Sequence, residues 1–171
     1  KSDIIMESIL PFIAVLAVIN LLVLSWIDLK TWLLPNKLNL SFAILGIIFH
    51  FFDHFTMLDP MGMALGGLVG AGILYIIRAG GNWYYKQDTL GLGDVKLLGA
   101  AGLWLGPTDV IMALTVGAFA GLVHGIIVAI TKAIREKAKP DMHRLMIPAG
   151  PGFCIGILLV GIWKFSTILG L

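Results

Sequence analysis

Charge and cysteine are both scarce in this chain. Of its 171 residues 13% are charged, about half the roughly 25% found in soluble domains. Another 58% are hydrophobic, and the mean hydropathy is +0.96. Most of this surface is therefore built for lipid rather than water. A formal net charge of +2 is too small to argue for a nucleic-acid partner. The single cysteine, Cys154, excludes an intramolecular disulfide and any zinc site built on paired cysteines. Set in an apolar stretch, it reads as a small buried hydrophobe. There is no low-complexity segment, no internal repeat and no polar stretch long enough for a soluble domain. The first apolar run, about residues 10–27, is too long for a signal-peptide core, and no small-residue cleavage site follows it. It reads as a retained span.

What is present is a series of apolar runs. A transmembrane helix needs roughly 20 mostly apolar residues, and the candidates are 9–27, 38–55, 61–77, 94–105, 109–131 and 147–169. The expected architecture is all-α, a polytopic bundle of about six transmembrane helices. The fourth run is short for a full crossing, so it either starts inside the Leu90-Gly91-Leu92-Gly93-Asp94 segment or is partly sunk in the bundle. Ten of the twelve basic residues fall after runs one, three and five: Lys30, Lys37, Arg78, Lys86, Lys96, Lys132, Arg135, Lys137, Lys139 and Arg144. The opposite side carries Asp3, Glu7, Asp53, Asp59 and Asp109, with only Lys1 and Lys164 as cations. The positive-inside rule then directs both termini outward and the basic side toward the cytoplasm. Glycines at every fourth position (62, 66, 70; 117, 121, 125; 152, 156) predict close helix approach.

Two acids interrupt these runs. Asp28 ends the first, and Asp94 follows Gly91 and Gly93 at the start of the fourth. An ionisable residue in or beside hydrocarbon is costly and marks a functional site by default. The orientation rule, which makes no reference to these acids, puts both at the cytoplasmic face. Two carboxylates sharing a water cannot both be comfortably ionised, so the pair would hold one proton, with a base activating water and an acid protonating the carbonyl or leaving group. Gly91 and Gly93 suit a backbone that must bend and admit another chain closely. The residues allow a plainer reading too: Asp28 as a solvated helix end beside Lys30, and Asp94 as an N-cap. The separation in sequence does not decide whether the two meet.

Asp28 followed by Leu34-Pro35-Asn36, then Gly91-Leu92-Gly93-Asp94-Val95-Lys96 and the small-residue stretch Gly99-Ala100-Ala101-Gly102, resembles the type IV prepilin peptidases, the GxGD aspartic proteases of the membrane. A third family segment of the Pro-Phe-Gly-Pro type reads Pro148-Ala149-Gly150-Pro151 here, with alanine in place of the aromatic. The resemblance implies a single integral-membrane peptidase domain over 1–171 in the cytoplasmic membrane of a prokaryote, with its active site toward the cytoplasm. It implies a catalytic pair of Asp28 and Asp94, with Gly91 and Gly93 shaping the second acid's loop and Pro35 and Asn36 fixing the turn after the first. The implied substrate is a pilin-like precursor protein, cut at its leader, and the implied partners are that precursor and the lipid bilayer. Larger members carry an N-terminal region with CxxC motifs, associated with zinc and S-adenosylmethionine-dependent N-methylation. With one cysteine, this chain is expected to be a peptidase-only form of the Flp-type or preflagellin kind, without metal or cofactor.

Two other readings stand beside this one. A presenilin or signal-peptide-peptidase type of intramembrane protease also uses a GxGD aspartate, but is longer and has a tyrosine before its first aspartate, where Ile27 stands here. An ion or proton carrier would place its acids near the midplane between repeats. Among the remaining polar residues, His124, Asn20 and Asn39 read as hydrogen-bonding glue between helices. His50 and His54 lie near the outward acidic loop without the ligand register of a metal site. Trp26, Trp32, Trp83, Tyr84 and Tyr85 fall where aromatic belts occur. Lys96 reads as snorkelling to headgroups, and the cations from 132 to 144 as lipid-facing.

Overall fold

In lipid a backbone must satisfy its own hydrogen bonds, and the computed structural model is accordingly helical throughout its described part. It describes residues 2–136 and 148–169, with side chains from 9–135 and 148–166. Five helices follow in order: α1 (Ser2–Thr31), α2 (Asn36–Phe52), α3 (Pro60–Tyr85), α4 (Leu92–Glu136) and α5 (Gly150–Leu169). Three of them, α1, α3 and α4, contain stretches long and apolar enough to cross a membrane, while α2 and α5 are shorter apolar helices. The expected start of the last span at Ile147, the cations Lys1, Lys137, Lys139 and Arg144, and the side chains of Asp3 and Glu7 lie outside the described residues.

Helix starts follow local chemistry. Pro35 stands at the N-cap of α2 in extended conformation, and its carbonyl accepts from Leu38 and Asn39 at 3.1 and 3.2 Å. Asp59 caps α3 by accepting the Gly62 N–H at 3.0 Å, with Pro60 at the first helical position, where a missing N–H costs nothing. The third span is expected to end at Ile77, with Arg78 in the loop that follows. The helix instead runs on to Tyr85 and stops at Lys86, whose φ of 53° lies in the left-handed region.

Two expected spans are joined as α4. They are two arms, 92–105 and 107–136, meeting at Gly106, where φ is 79° and ψ 178°. Glycine takes that φ without Cβ strain, and Pro107 beyond it has no N–H to donate. At about 1.5 Å per residue the first arm is roughly 20 Å long, short of a ~30 Å hydrocarbon core. The carbonyls bared at its end are satisfied from other helices. His50 of α2 contacts the Trp104 carbonyl through Nε2 at 3.0 Å. Lys164 of α5 donates to the Leu105 carbonyl at 2.7 Å and to Asp109 Oδ2 at 2.7 Å. His50 must present Nε2–H to that carbonyl, so it is a buried cap. Its ring lies against Phe49 and Phe165, Trp104 packs on both of those and on Phe42, and Trp104 Nε1 donates to the Phe42 carbonyl at 2.8 Å.

The arms serve different neighbours. The first lies against α3, where a Cβ at Gly66 would overlap the Gly102 carbonyl and one at Gly102 would overlap Gly66. The second lies against α5, where Gly117 meets Gly152 and Phe153, and Gly156 meets Ala113. Gly62 alone of the expected ridge turns to its own cap, Asp59 and Leu58, instead of a second helix. His124 also departs from expectation. It is exposed, and no described residue hydrogen-bonds to it, because the α5 contact reaches Gly121 and His124 lies beyond it. Asn20 does join helices, donating to Ser41 at 2.5 Å. Helix α1 touches α2 and α5, but none of its α-carbons comes within 8 Å of one in α3 or α4.

The close α3–α4 approach makes a stability prediction. Gly102→Ala should lower unfolding stability in detergent by about 1–3 kcal/mol through overpacking. Gly72→Ala, where a Cβ meets nothing within 4 Å, should be neutral or stabilise by up to about 1 kcal/mol. Thermal or denaturant unfolding of the two variants checks both.

Candidate active site

An acid drawn out of water needs donors and room. Asp28 lies one turn before the end of α1, 5% exposed. Its carboxylate meets the first residue of α5: the Gly150 N–H donates to Asp28 Oδ2 at 3.0 Å. The first N–H groups of a helix have no intrahelical acceptor, so this donor is free to serve the acid, and the positive end of the α5 dipole favours it further. Gly150 can only be glycine in this arrangement, since a Cβ would stand 2.5 Å from that same oxygen.

Asp94 lies in the first turn of α4, 7% exposed. A Cβ at Gly91 would sit 2.9 Å from Asp94 Oδ2, while Oδ1 is buried with no hydrogen-bond partner. Gly93 packs on the chain entering α2, where its Cβ would be 2.7 Å from the Cβ of Leu34. Its carbonyl accepts from Asn39 Nδ2 at 3.0 Å.

Asp28 and Asp94 line one cavity of about 660 Å³. One wall is the chain from 87 to 92. The other is formed by Trp32 and by Pro148 and Ala149, just before α5. The helices that carry them, α1 and α4, have no α-carbons within 8 Å of each other, so the two acids share this cavity without a contact between their helices. Gly91 is part of the lining, whereas Gly93, Pro35 and Asn36 are not. Gly93 and Asn36 tie the start of α4 to the start of α2, through Asn39 and Lys96. Lys96, read as a headgroup anchor, instead donates to Asn36 Oδ1 at 2.8 Å. A lysine two residues after Asp94 leaves the cavity face and meets the Leu34-Pro35-Asn36 turn, which sequence spacing could not reveal.

Several site residues escaped the sequence reading. Gly150 belongs to the third family segment, which was noticed without a role. Asn39, read as glue between helices, is glue of a specific kind, fixing Gly93. Trp32, read as a belt residue, ends α1 with φ 60° and walls the cavity. A left-handed φ at a non-glycine residue costs about 1–2 kcal/mol and is typical of sites that the surrounding fold holds in place. Among the described residues no three of His, Cys, Asp and Glu gather as a metal site.

The chain is similar to known proteins over most of its length. A model of the type IV leader peptidase family matches residues 15–126. The prepilin leader peptidase/N-methyltransferase of Pectobacterium carotovorum subsp. carotovorum is 36% identical over 143 residues, 80% of this chain and 46% of that protein. The protein of the same name from Escherichia coli K12 is 35% identical over 106 residues, 62% of this chain and 46% of that protein. The one from Legionella pneumophila is 32% identical over 159 residues, 91% and 51% of the two chains. The chain thus spans about half the length of the curated relatives it matches. No solved structure matches it.

The brace behind Asp94 is testable. Gly93→Ala should lose about 1–3 kcal/mol of stability by pressing on Leu34. In a double-mutant cycle with Leu34→Gly, which removes the opposing Cβ, the two changes should show a favourable coupling of at least about 0.5 kcal/mol. Simple additivity would mean that the two residues do not press on each other.

Proposed function

We propose, from the premise that this chain belongs to the type IV leader peptidase family, that it is a membrane aspartic endopeptidase cutting the leader from type IV pilin-like precursors. The observation that carries the reading is the meeting of Asp28 and Asp94, buried acids on separate helices, in one cavity. The names of the relatives support the peptide chemistry. They also carry an N-methyltransferase activity, which this reading leaves with those proteins. An ion carrier or a presenilin-like protease has no comparable support.

In the proposed mechanism the pair holds one proton. The ionised carboxylate takes a proton from water as its oxygen attacks the scissile carbonyl carbon, and the other acid gives its proton to the carbonyl oxygen. Collapse of the tetrahedral intermediate returns that oxygen to a carbonyl, breaks the C–N bond and delivers a proton to the leaving amine. The Gly150 N–H fixes the Asp28 carboxylate beforehand, so less reorganisation is left for the reaction itself.

The topology is part of the proposal. Helices α1, α2, α3 and α5 and the two arms of α4 would make six crossings or partial crossings of a prokaryotic inner membrane. One integral-membrane domain over 1–171 would then open its site to the cytoplasm. The basic residues after α1 and along the 132–135 end of α4 support that orientation. In a Cys154→Ser background, Gln87→Cys should react with a membrane-impermeant thiol reagent only from the cytoplasmic side, and Thr56→Cys only from the opposite side. The reverse pattern overturns the orientation.

Co-expression of the chain with candidate precursors, followed by N-terminal sequencing of the product, tests the activity. Asp28→Asn and Asp94→Asn should each reduce cleavage by about 10²–10⁴-fold while membrane insertion is unchanged, and the double variant should be no slower than either single one. Gly150→Ala, which pushes on the Asp28 carboxylate without altering any charge, should also slow cleavage by at least about tenfold. Full activity in both aspartate variants refutes the assignment.

A further inference from the structure

One wall of the cavity has no backbone support of its own. Among the described residues, none from 87 to 91 makes a backbone–backbone hydrogen bond, yet all five line the cavity. This strap is held by two side chains one turn apart at the end of α3. The Arg78 guanidinium pairs with Asp88 at 2.6 Å and donates to the Leu90 carbonyl. Asn82 donates to Asp88 Oδ1 at 3.0 Å and accepts from the Thr89 N–H at 2.8 Å and the Thr89 hydroxyl at 3.0 Å. Gly81 leaves the space that Thr89 fills, where a Cβ would overlap the hydroxyl. Residues i and i+4 share a helix face, so Arg78 and Asn82 act together as a clamp. The Arg78 side chain is 15% exposed and that of Asp88 77%. The guanidinium is thus mostly buried where it grips the strap, and Arg78 itself is part of the cavity lining.

Asp94 is anchored differently. Its neighbour Gly93 is bonded to Asn39 and packed on Leu34, and Lys96 is bonded to Asn36, all at the start of α2 or just before it. The strap hangs from α3 and the acid from α2. The strap's last residue, Gly91, lies against Asp94 Oδ2, so the two sets of supports meet only there.

We propose that Arg78 and Asn82 are positioning residues for the substrate peptide: they hold 87–91 as a preformed edge along which an extended segment lies on its way between Asp28 and Asp94. The inference rests on the endopeptidase reading above. The strap, Trp32 and Ala149 line the same cavity as the two acids, and an edge fixed in advance spares a bound peptide the ordering cost of binding. Since the edge meets the peptide before and during the reaction alike, its loss removes uniform binding, which raises KM and leaves kcat unchanged.

The test is steady-state cleavage of a purified precursor by the full chain in detergent or nanodiscs. Asn82→Ala removes three of the bonds. Arg78→Lys keeps the charge but loses the planar fork that reaches two acceptors, and it is conservative enough to fold. Both should raise KM about fivefold or more with kcat within about twofold of the unmodified chain. In addition, trypsin should cut after Lys86 faster in both variants, and saturating precursor should slow that cut. A fall in kcat at unchanged KM would mean that the strap acts through Asp94, and it overturns the proposal, as do unaltered kinetics. An unmodified chain that cleaves no precursor overturns the endopeptidase reading and this inference with it. Normal turnover with unaltered KM in both variants overturns this inference alone.

Discussion

Withdrawing a carboxylate from water costs several kcal/mol even after relaxation, and this bundle withdraws two into a common cavity. Everything near the site can be understood as meeting that constraint. Asp28 is met by a backbone N–H that helix geometry had left unused, and the absence of a side chain at Gly150 lets that donor approach. Asp94 lies against the backbone of Gly91, and its Oδ1 has no hydrogen-bond partner among the described residues. The two acids are thus treated unequally, which suits a pair that divides the work of donor and acceptor.

The same accounting of polar groups explains the far end of the bundle. A break in a helix at membrane depth bares carbonyls, and such groups are tolerated only where protein satisfies them. At Gly106 a histidine from α2 and a lysine from α5 do so. This lets α4 change partners midway, its first arm lying on α3 and its second on α5. One continuous helix could not follow both neighbours. The short fourth run in the sequence was the trace of this break, although its meaning needed the third dimension.

Legibility was greatest where chemistry is local. The apolar runs located the helices, and the two acids in apolar surroundings do line one cavity. The boundaries that failed did so for local reasons too: Arg78 looked like the end of a span, although its charge is matched by Asp88 across a turn of chain. What stayed hidden depends on helix rotation and loop path. Lys96 could not be seen to reach Asn36, nor Asn39 to reach Gly93. The Gly150 bond joins positions 122 residues apart, and nothing in either neighbourhood announces the other.

That separation has a consequence for how the protein is made. Helices enter a membrane roughly in the order of synthesis, so Asp28 on α1 arrives before its donor on α5. Until α5 docks, the acid has no partner from that helix, and it is best accommodated near the aqueous rim. Helix α5 therefore acts as a keystone: until it docks, one of the two acids lacks its donor.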